Sequence, residues 1–194
     1  MNTSGEKDRM AAKQKRSVLI YYGIAMVLLI ISLFFDKQLI SLLAQLRTAV
    51  IDNLFVWSSR IFSKTLIFTI ALVLMIVKAR KLLIRFVAAS CVSLVIVYVL
   101  KFLVTRARPY LELNLPKLIE STSQSFPSGH TAIAFATLPF VFSTYKNSFI
   151  GWLWCAIVII IAFSRLYLGV HYLSDVIAGA VIGFGISHFF LKFK

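Results

Sequence analysis

The chain has 194 residues, 60% of them apolar, and a mean hydropathy of +0.89. A soluble domain of this size cannot hide so much apolar surface, which excludes an ordinary soluble globule and points to an integral membrane protein with several spans. The formal net charge is +14, but the lysines and arginines cluster between apolar runs, a pattern of membrane orientation and headgroup contact rather than of nucleic-acid binding.

In chain order, a basic segment, 1–16, precedes the first apolar run. That run starts after "KQKRS" and is followed by no small-residue cleavage pattern, so it is expected to be an uncleaved span rather than a signal peptide. Six spans are predicted: Val18–Phe35, Ile61–Val77, Leu82–Val104, Thr131–Tyr145, Phe149–Phe163 and Tyr172–Leu191. Lys64 interrupts the second and is expected to snorkel to the headgroups. Pro139 inside the fourth is tolerable where neighbouring groups satisfy the freed carbonyl. Cys91 and Cys155 lie in apolar runs without metal-like spacing and read as buried thiols.

Residues 36–60 differ in character. Leu39, Leu42, Leu43, Leu46, Val50, Leu54 and Trp57 recur at helical spacing, with polar residues on much of the other side. This predicts an amphipathic helix in the membrane interface, more simply a connector packed on the bundle than a gate. The expectation is an all-α, polytopic membrane protein: one domain over 1–194, a six-transmembrane-helix bundle with an interfacial helix between spans one and two. Lys78, Arg80, Lys81, Arg85, Lys146, Lys192 and Lys194, together with the basic segment, fall on one side, which the positive-inside rule makes cytoplasmic. The connections 36–60, 105–130 and 164–171 then face outward.

Three stretches at the outward ends carry chemistry. In "KFLVTRARP", Lys101 and Arg108 are seven residues apart, so on a helix both point one way, about 10 Å apart along the axis. Arg106 projects elsewhere. Two such cations suggest an anion site, though alone they read better as snorkelling to lipid phosphates. In "PSGH", Ser128 is a candidate helix cap and Gly129 lets a ligand approach the backbone at a helix N-terminus, with His130 beside it. An ordinary cap with an interfacial histidine explains it equally well. In "SRLYLGVHYLSD", Arg165 ends span five, and His171 and Asp175 open span six at i, i+4 spacing. A carboxylate there can hold one imidazole nitrogen and leave the other free to attack; the alternative is an interfacial ion pair. The inferred topology, built without these motifs, places all three on one face.

These motifs resemble the three signature motifs of the type 2 phosphatidic acid phosphatase superfamily: Lys101 with Arg108-Pro109, then Pro127-Ser128-Gly129-His130, then Ser164-Arg165 with His171 and Asp175. The resemblance rests on 101–175, whereas 1–100 match only in hydropathy. It implies hydrolysis of a phosphomonoester or diphosphate through a phosphohistidine. His171 is then the nucleophile, Asp175 orients it, and His130 protonates the leaving oxygen. Lys101, Arg108 and Arg165 bind phosphate with Ser128 and the Gly129 amide. No cofactor and no metal are expected, because fixed cations and N–H donors stabilise the charge of phosphoryl transfer. The expected partners are the bilayer and a lipid phosphate or diphosphate: polyprenyl diphosphate first, phosphatidic acid or phosphatidylglycerol phosphate next. The rival class is a transporter, whose charges belong nearer the bilayer midplane.

Overall fold

The computed structural model describes residues 3–121, 123–146 and 148–192. The side chains of the basic 1–16 segment, and Lys194, lie outside the described residues. The described elements are helices: α1 (Thr3–Gln45), α2 (Ala49–Ile61), α3 (Lys64–Lys78), a 3₁₀ turn at Arg80–Leu82, α4 (Leu83–Val104), the short α5 (Pro109–Glu112), α6 (Gly129–Tyr145), α7 (Phe149–Tyr167) and α8 (Leu173–Lys192).

The amphipathic stretch 36–60 is not one helix. No glycine or proline lies between Asp36 and Gln45, so α1 runs on to Gln45 without a break. The chain turns at 46–48, and the Thr48 side chain accepts from the Ile51 N–H to start α2. Four segments are long and apolar enough to cross a membrane: Ile20–Gln45, Arg80–Glu112, α7 and α8. The pair α2 and α3, bent by 54°, adds a fifth if it counts as one span. At 17 residues, α6 is about 26 Å long, slightly shorter than the four spans.

α6 is the central helix and touches α3, α4, α7 and α8. Ile67 and Met75 of α3, Phe86 of α4, Phe140 of α6, and Val158 and Ile161 of α7 form one buried core around it. Within that core the Trp154 indole N–H donates to Thr137 Oγ1 at 2.7 Å, so its one polar atom is satisfied. Large apolar side chains also cover the outside, among them Phe34, Val95, Phe102, Trp152 and Ile159. For this reason the thiol expectation fails at Cys91: it is exposed, and Cys155 is half-buried. In a chain whose outer surface is itself apolar, an apolar neighbourhood says nothing about burial.

The tightest crossing is that of α6 with α8. A Cβ on Gly179 would lie 2.5 Å from the Ser128 carbonyl oxygen, and one on Gly183 would lie 1.9 Å from that of Ala132. Backbone thus meets backbone, as small-xxx-small spacing permits between membrane helices. The contact joins the start of α6, which carries Ser128 to His130, to the start of α8, which carries Asp175.

Candidate active site

The three motifs meet at one end of the bundle. Lys101 sits in the last turn of α4. The helix does not continue to Arg108 as the seven-residue spacing assumed. It stops at Val104, Thr105 is left-handed (φ 31°), and Arg108 is extended ahead of Pro109, the first residue of α5. Proline disfavours helical geometry in the residue before it. Lys101 and Arg108 nevertheless line the same cavity of about 750 Å³, with Gly129, His130, Arg165 and His171.

The cations are held by neutral oxygens. Arg108 donates from Nε to the Ser123 carbonyl at 2.8 Å and from Nη1 to the Val170 carbonyl at 2.7 Å. Lys101 Nζ donates to the Gln124 carbonyl and, at 3.4 Å, to that of Ser125. Arg165, 2% exposed, donates from Nε and Nη2 to Ser164 Oγ at 3.1 and 3.0 Å. These partners fix the cations in place without cancelling their charge. The cavity therefore carries a positive field suited to an oxyanion.

Ser128, fully buried, caps α6: its Oγ accepts from the Thr131 N–H at 3.4 Å and lies 2.9 Å from Thr131 Oγ1. It does not line the cavity; Gly129 and His130 do. The Ser128 N–H donates to the Asp175 carbonyl at 3.0 Å, which ties the PSGH turn to α8.

His171 lies before α8 rather than on it. Gly169 is left-handed at φ 66°, and the Arg165 carbonyl accepts from Val170 N–H at 3.2 Å and from His171 N–H at 3.3 Å. This turn sets His171 in the same cavity lining as Arg165, which stands in the last turn of α7. Burial pushes the His171 imidazole down to about 4, outweighing the upward pull of Asp175, while Arg108 and Lys101 push further down. The ring is therefore neutral at pH 7, as a nucleophile requires. Its Nδ1 has no hydrogen-bond partner among the described residues and stands 3.6 Å from Asp175 Oδ2. That is ion-pair range, beyond a good hydrogen bond.

Asp175 is held by other donors. Oδ2 accepts from Ser125 Oγ and, at 2.8 Å, from the Tyr172 N–H. Oδ1 accepts from Arg106 Nη1 at 2.9 Å. Arg106 does project away from the cavity, but to a purpose the spacing did not disclose. Its Nη2 donates to Asp36 Oδ2 at 2.8 Å, and its guanidinium carbon lies 4.0 Å from the Tyr172 ring centroid. Asp36 also accepts from the Ser174 N–H at 2.9 Å. One arginine thus bridges two carboxylates, one from α1 and one from α8.

Asp36, Arg106, Ser125 and Ser174 were missed as site residues. Asp36 had a signal: a carboxylate directly after the apolar "ISLFF", where an intramembrane charge by default has a named partner. Lys64 lines this cavity as well. Among the described residues no three His, Cys, Asp or Glu side chains group as metal ligands do.

A cavity of fixed cations, two histidines and a buried carboxylate behind one of them defines a phosphate-handling membrane protein. Residues 82–194 match the PAP2 superfamily, and the chain belongs to that superfamily. Over 185 residues it is 29% identical to the undecaprenyl-diphosphatase of Sulfolobus acidocaldarius, a match covering 86% of this chain and 88% of the relative. Over 108 residues it is 36% identical to the bacitracin transport permease protein BcrC of Bacillus licheniformis, 55% of this chain and 52% of that protein. The chain spans about half the length of several of the curated relatives it matches. The crystal structure of Aquifex aeolicus LpxE superposes with a TM-score of 0.72 at 25% identity, over 82% of this chain and 96% of that one.

Proposed function

We propose that the chain is a metal-independent membrane phosphatase that hydrolyses a lipid diphosphate or phosphomonoester through a phosphohistidine. A polyprenyl diphosphate is the first substrate. The observation that carries this reading is the single cavity lined by Lys101, Arg108, Arg165, His130 and a neutral, buried His171. The Sulfolobus relative, matched along most of both chains, is named for diphosphate hydrolysis.

His171 attacks phosphorus through Nε2, since Nδ1 is buried against Asp175. The bond from phosphorus to the leaving oxygen breaks, and His130, protonated once the substrate's negative charge offsets the cations around it, gives that oxygen its proton. Water then attacks the phosphohistidine, neutral His130 takes a proton from it, and phosphate leaves with His171 restored. Asp175 acts by holding the ring and stabilising the positive charge formed during attack. It is pre-set for this by Arg106, Ser125 and the Tyr172 N–H. Arg108 and Arg165 meet the equatorial oxygens, which gather charge in the transition state.

In this reading α3 and α6 both cross the membrane, giving six spans, with the site on the extracytoplasmic side and the termini in the cytoplasm. Lys78, Arg80, Lys146 and Lys192 fall at the ends of their helices away from the site, in accord with the positive-inside rule. α2 lies in the interface: Val50, Leu54 and Trp57 are exposed, while Asp52 accepts from Tyr167 OH at 2.8 Å and moors it to α7. Although one relative is named a transport permease, the charged groups here gather at one end, and the apolar core of α3, α4, α6 and α7 lies beneath them. A phosphate-release assay on purified protein with a panel of lipid phosphates and diphosphates tests the reading. Activity that His171→Ala abolishes is expected; a wild type inert on every lipid phosphate defeats it.

A further inference from the structure

Lys64 opens α3, directly after its capping residue Ser63. Its side chain crosses in front of the PSGH turn: Cδ and Nζ come within 3.8 and 3.9 Å of the point where a Cβ on Gly129 would stand. Its Nζ lies 5.8 Å from the Tyr98 ring centroid. Two other cations outside the motifs line the same cavity, and each is engaged elsewhere. Lys117 pairs with Glu120 at 2.5 Å, and Arg60 lies over the Trp57 ring at 5.6 Å. Lys64 has no carboxylate partner among the described residues.

A second cavity, of about 390 Å³, adjoins the first. It is lined by Thr65, Phe68, Cys91 and Ile133, and shares Lys64, Leu94 and Tyr98 with the catalytic cavity. Cys91 and Tyr98, on its α4 side, are exposed. Its lining is mostly apolar, which suits a hydrocarbon tail and not a headgroup. Lys64 therefore marks the junction between a cationic chamber and an apolar groove.

A lipid diphosphate has the same order: reacting phosphate, second phosphate, tail. With the reacting phosphate at Arg108, Arg165 and His171 and the tail in the groove, the second phosphate falls at Lys64. We propose that Lys64 binds the phosphate that stays with the lipid and makes this site selective for lipid diphosphates over monophosphates. The inference rests on the phosphatase reading above. In a phosphomonoester the corresponding place is held by uncharged carbon and ester groups, and the ammonium gains no anion there.

The step balances without a further reactant. His171 Nε2 bonds to the outer phosphorus, and the bond to the bridging oxygen breaks. The electron pair stays on the departing lipid monophosphate, and His130 donates the proton to the bridging oxygen. Negative charge on the inner phosphate grows as that bond breaks. A cation beside it therefore binds the transition state more tightly than the substrate and raises kcat as well as lowering KM.

The test compares farnesyl diphosphate with farnesyl monophosphate, which share a tail, on the purified full chain in detergent. Wild type should prefer the diphosphate. Lys64→Met, which keeps the length and removes the charge, should lower kcat/KM for the diphosphate by about 10–100-fold, the range for losing a charge-assisted contact. Its loss on the monophosphate should stay within about threefold, which also reports a folded site. Lys64→Arg should recover most of the diphosphate rate. Equal losses on both compounds would make Lys64 a ligand of the reacting phosphate, and no loss on either would make it a headgroup contact; both results overturn the proposal while leaving the phosphatase reading intact. A wild type that releases phosphate from neither compound overturns both.

Discussion

His171 shows how burial and charge compete on one ring. An imidazole beside a carboxylate is ordinarily easier to protonate, yet here burial dominates and holds it at about 4. A histidine in the unfolded chain titrates near about 6.5. Between the two values the unfolded chain binds a proton that the folded chain refuses, so stability falls as the pH drops through that window. Thermal unfolding in detergent from pH 7.5 to 4.5 should show this loss, and His171→Asn should flatten it; an unchanged slope in the variant would refute the assignment. The same residue should carry the phosphoryl group. A phosphoenzyme trapped from substrate should be acid-labile and base-stable and absent in His171→Ala, and label found on His130 instead would reverse the roles. Arg165→Lys should cost at least about tenfold in kcat/KM, because lysine cannot keep two nitrogens on Ser164 while presenting the rest of the fork to phosphate.

At the scale of helices, the site depends on how closely α8 can approach α6. Gly183→Leu places a side chain where the Ala132 carbonyl already stands, and backbone cannot yield as a side chain can. The variant should lose about 1–3 kcal/mol or more of stability, and its kcat should fall further than the unfolded fraction explains, because the PSGH turn moves away from Asp175. Gly151→Ala is the contrast: its Cβ would meet only the Phe142 ring, at 3.2 Å, which can shift. Melting curves paired with turnover on the folded fraction distinguish the two. The junction of α1 and α8 with the α4–α5 connection is equally exacting. Arg106→Ala leaves Asp36 and Asp175, both buried, without their shared cation. Breaking one partner of a buried pair costs about 3–5 kcal/mol, and Asp36→Asn in the same chain should return part of it.

For the whole molecule, the gathering of the motifs at one end predicts a site on one membrane face. After Cys91 and Cys155 are replaced by serine, single cysteines at Glu112 or Lys117 should react with an impermeant thiol reagent from outside intact cells. Cysteines at Arg80 or Lys146 should react only after permeabilisation, and the reverse pattern would put the site in the cytoplasm. The candidate cavity presents lysine and arginine side chains rather than a carboxylate cage. Phosphate release should therefore survive EDTA and fall with vanadate, which resembles the phosphoryl group in transit. Activity lost in EDTA and restored by magnesium would mean that a metal takes part.

The sequence by itself determined several of the elements and the residue types that gather at the cavity. Apolar runs at Leu82–Val104, Phe149–Phe163 and Tyr172–Leu191 became α4, α7 and α8 to within a few residues, because hydrophobic length is a local property. The three motifs named Lys101, Arg108, His130, Arg165 and His171, which line one cavity, because phosphate binding selects residue types that stand out against hydrocarbon. Local signals failed where the answer lay in another part of the chain. The capping position of Ser128 implies a bond to Thr131, but nothing near it says that this takes the hydroxyl out of the cavity lining. Nothing near Asp36 says that Arg106, seventy residues on, will join it to Asp175. Nothing near Lys64 says that α3 brings it in front of Gly129. Those placements follow from which helices become neighbours and how closely they cross, and only the tertiary structure decides that.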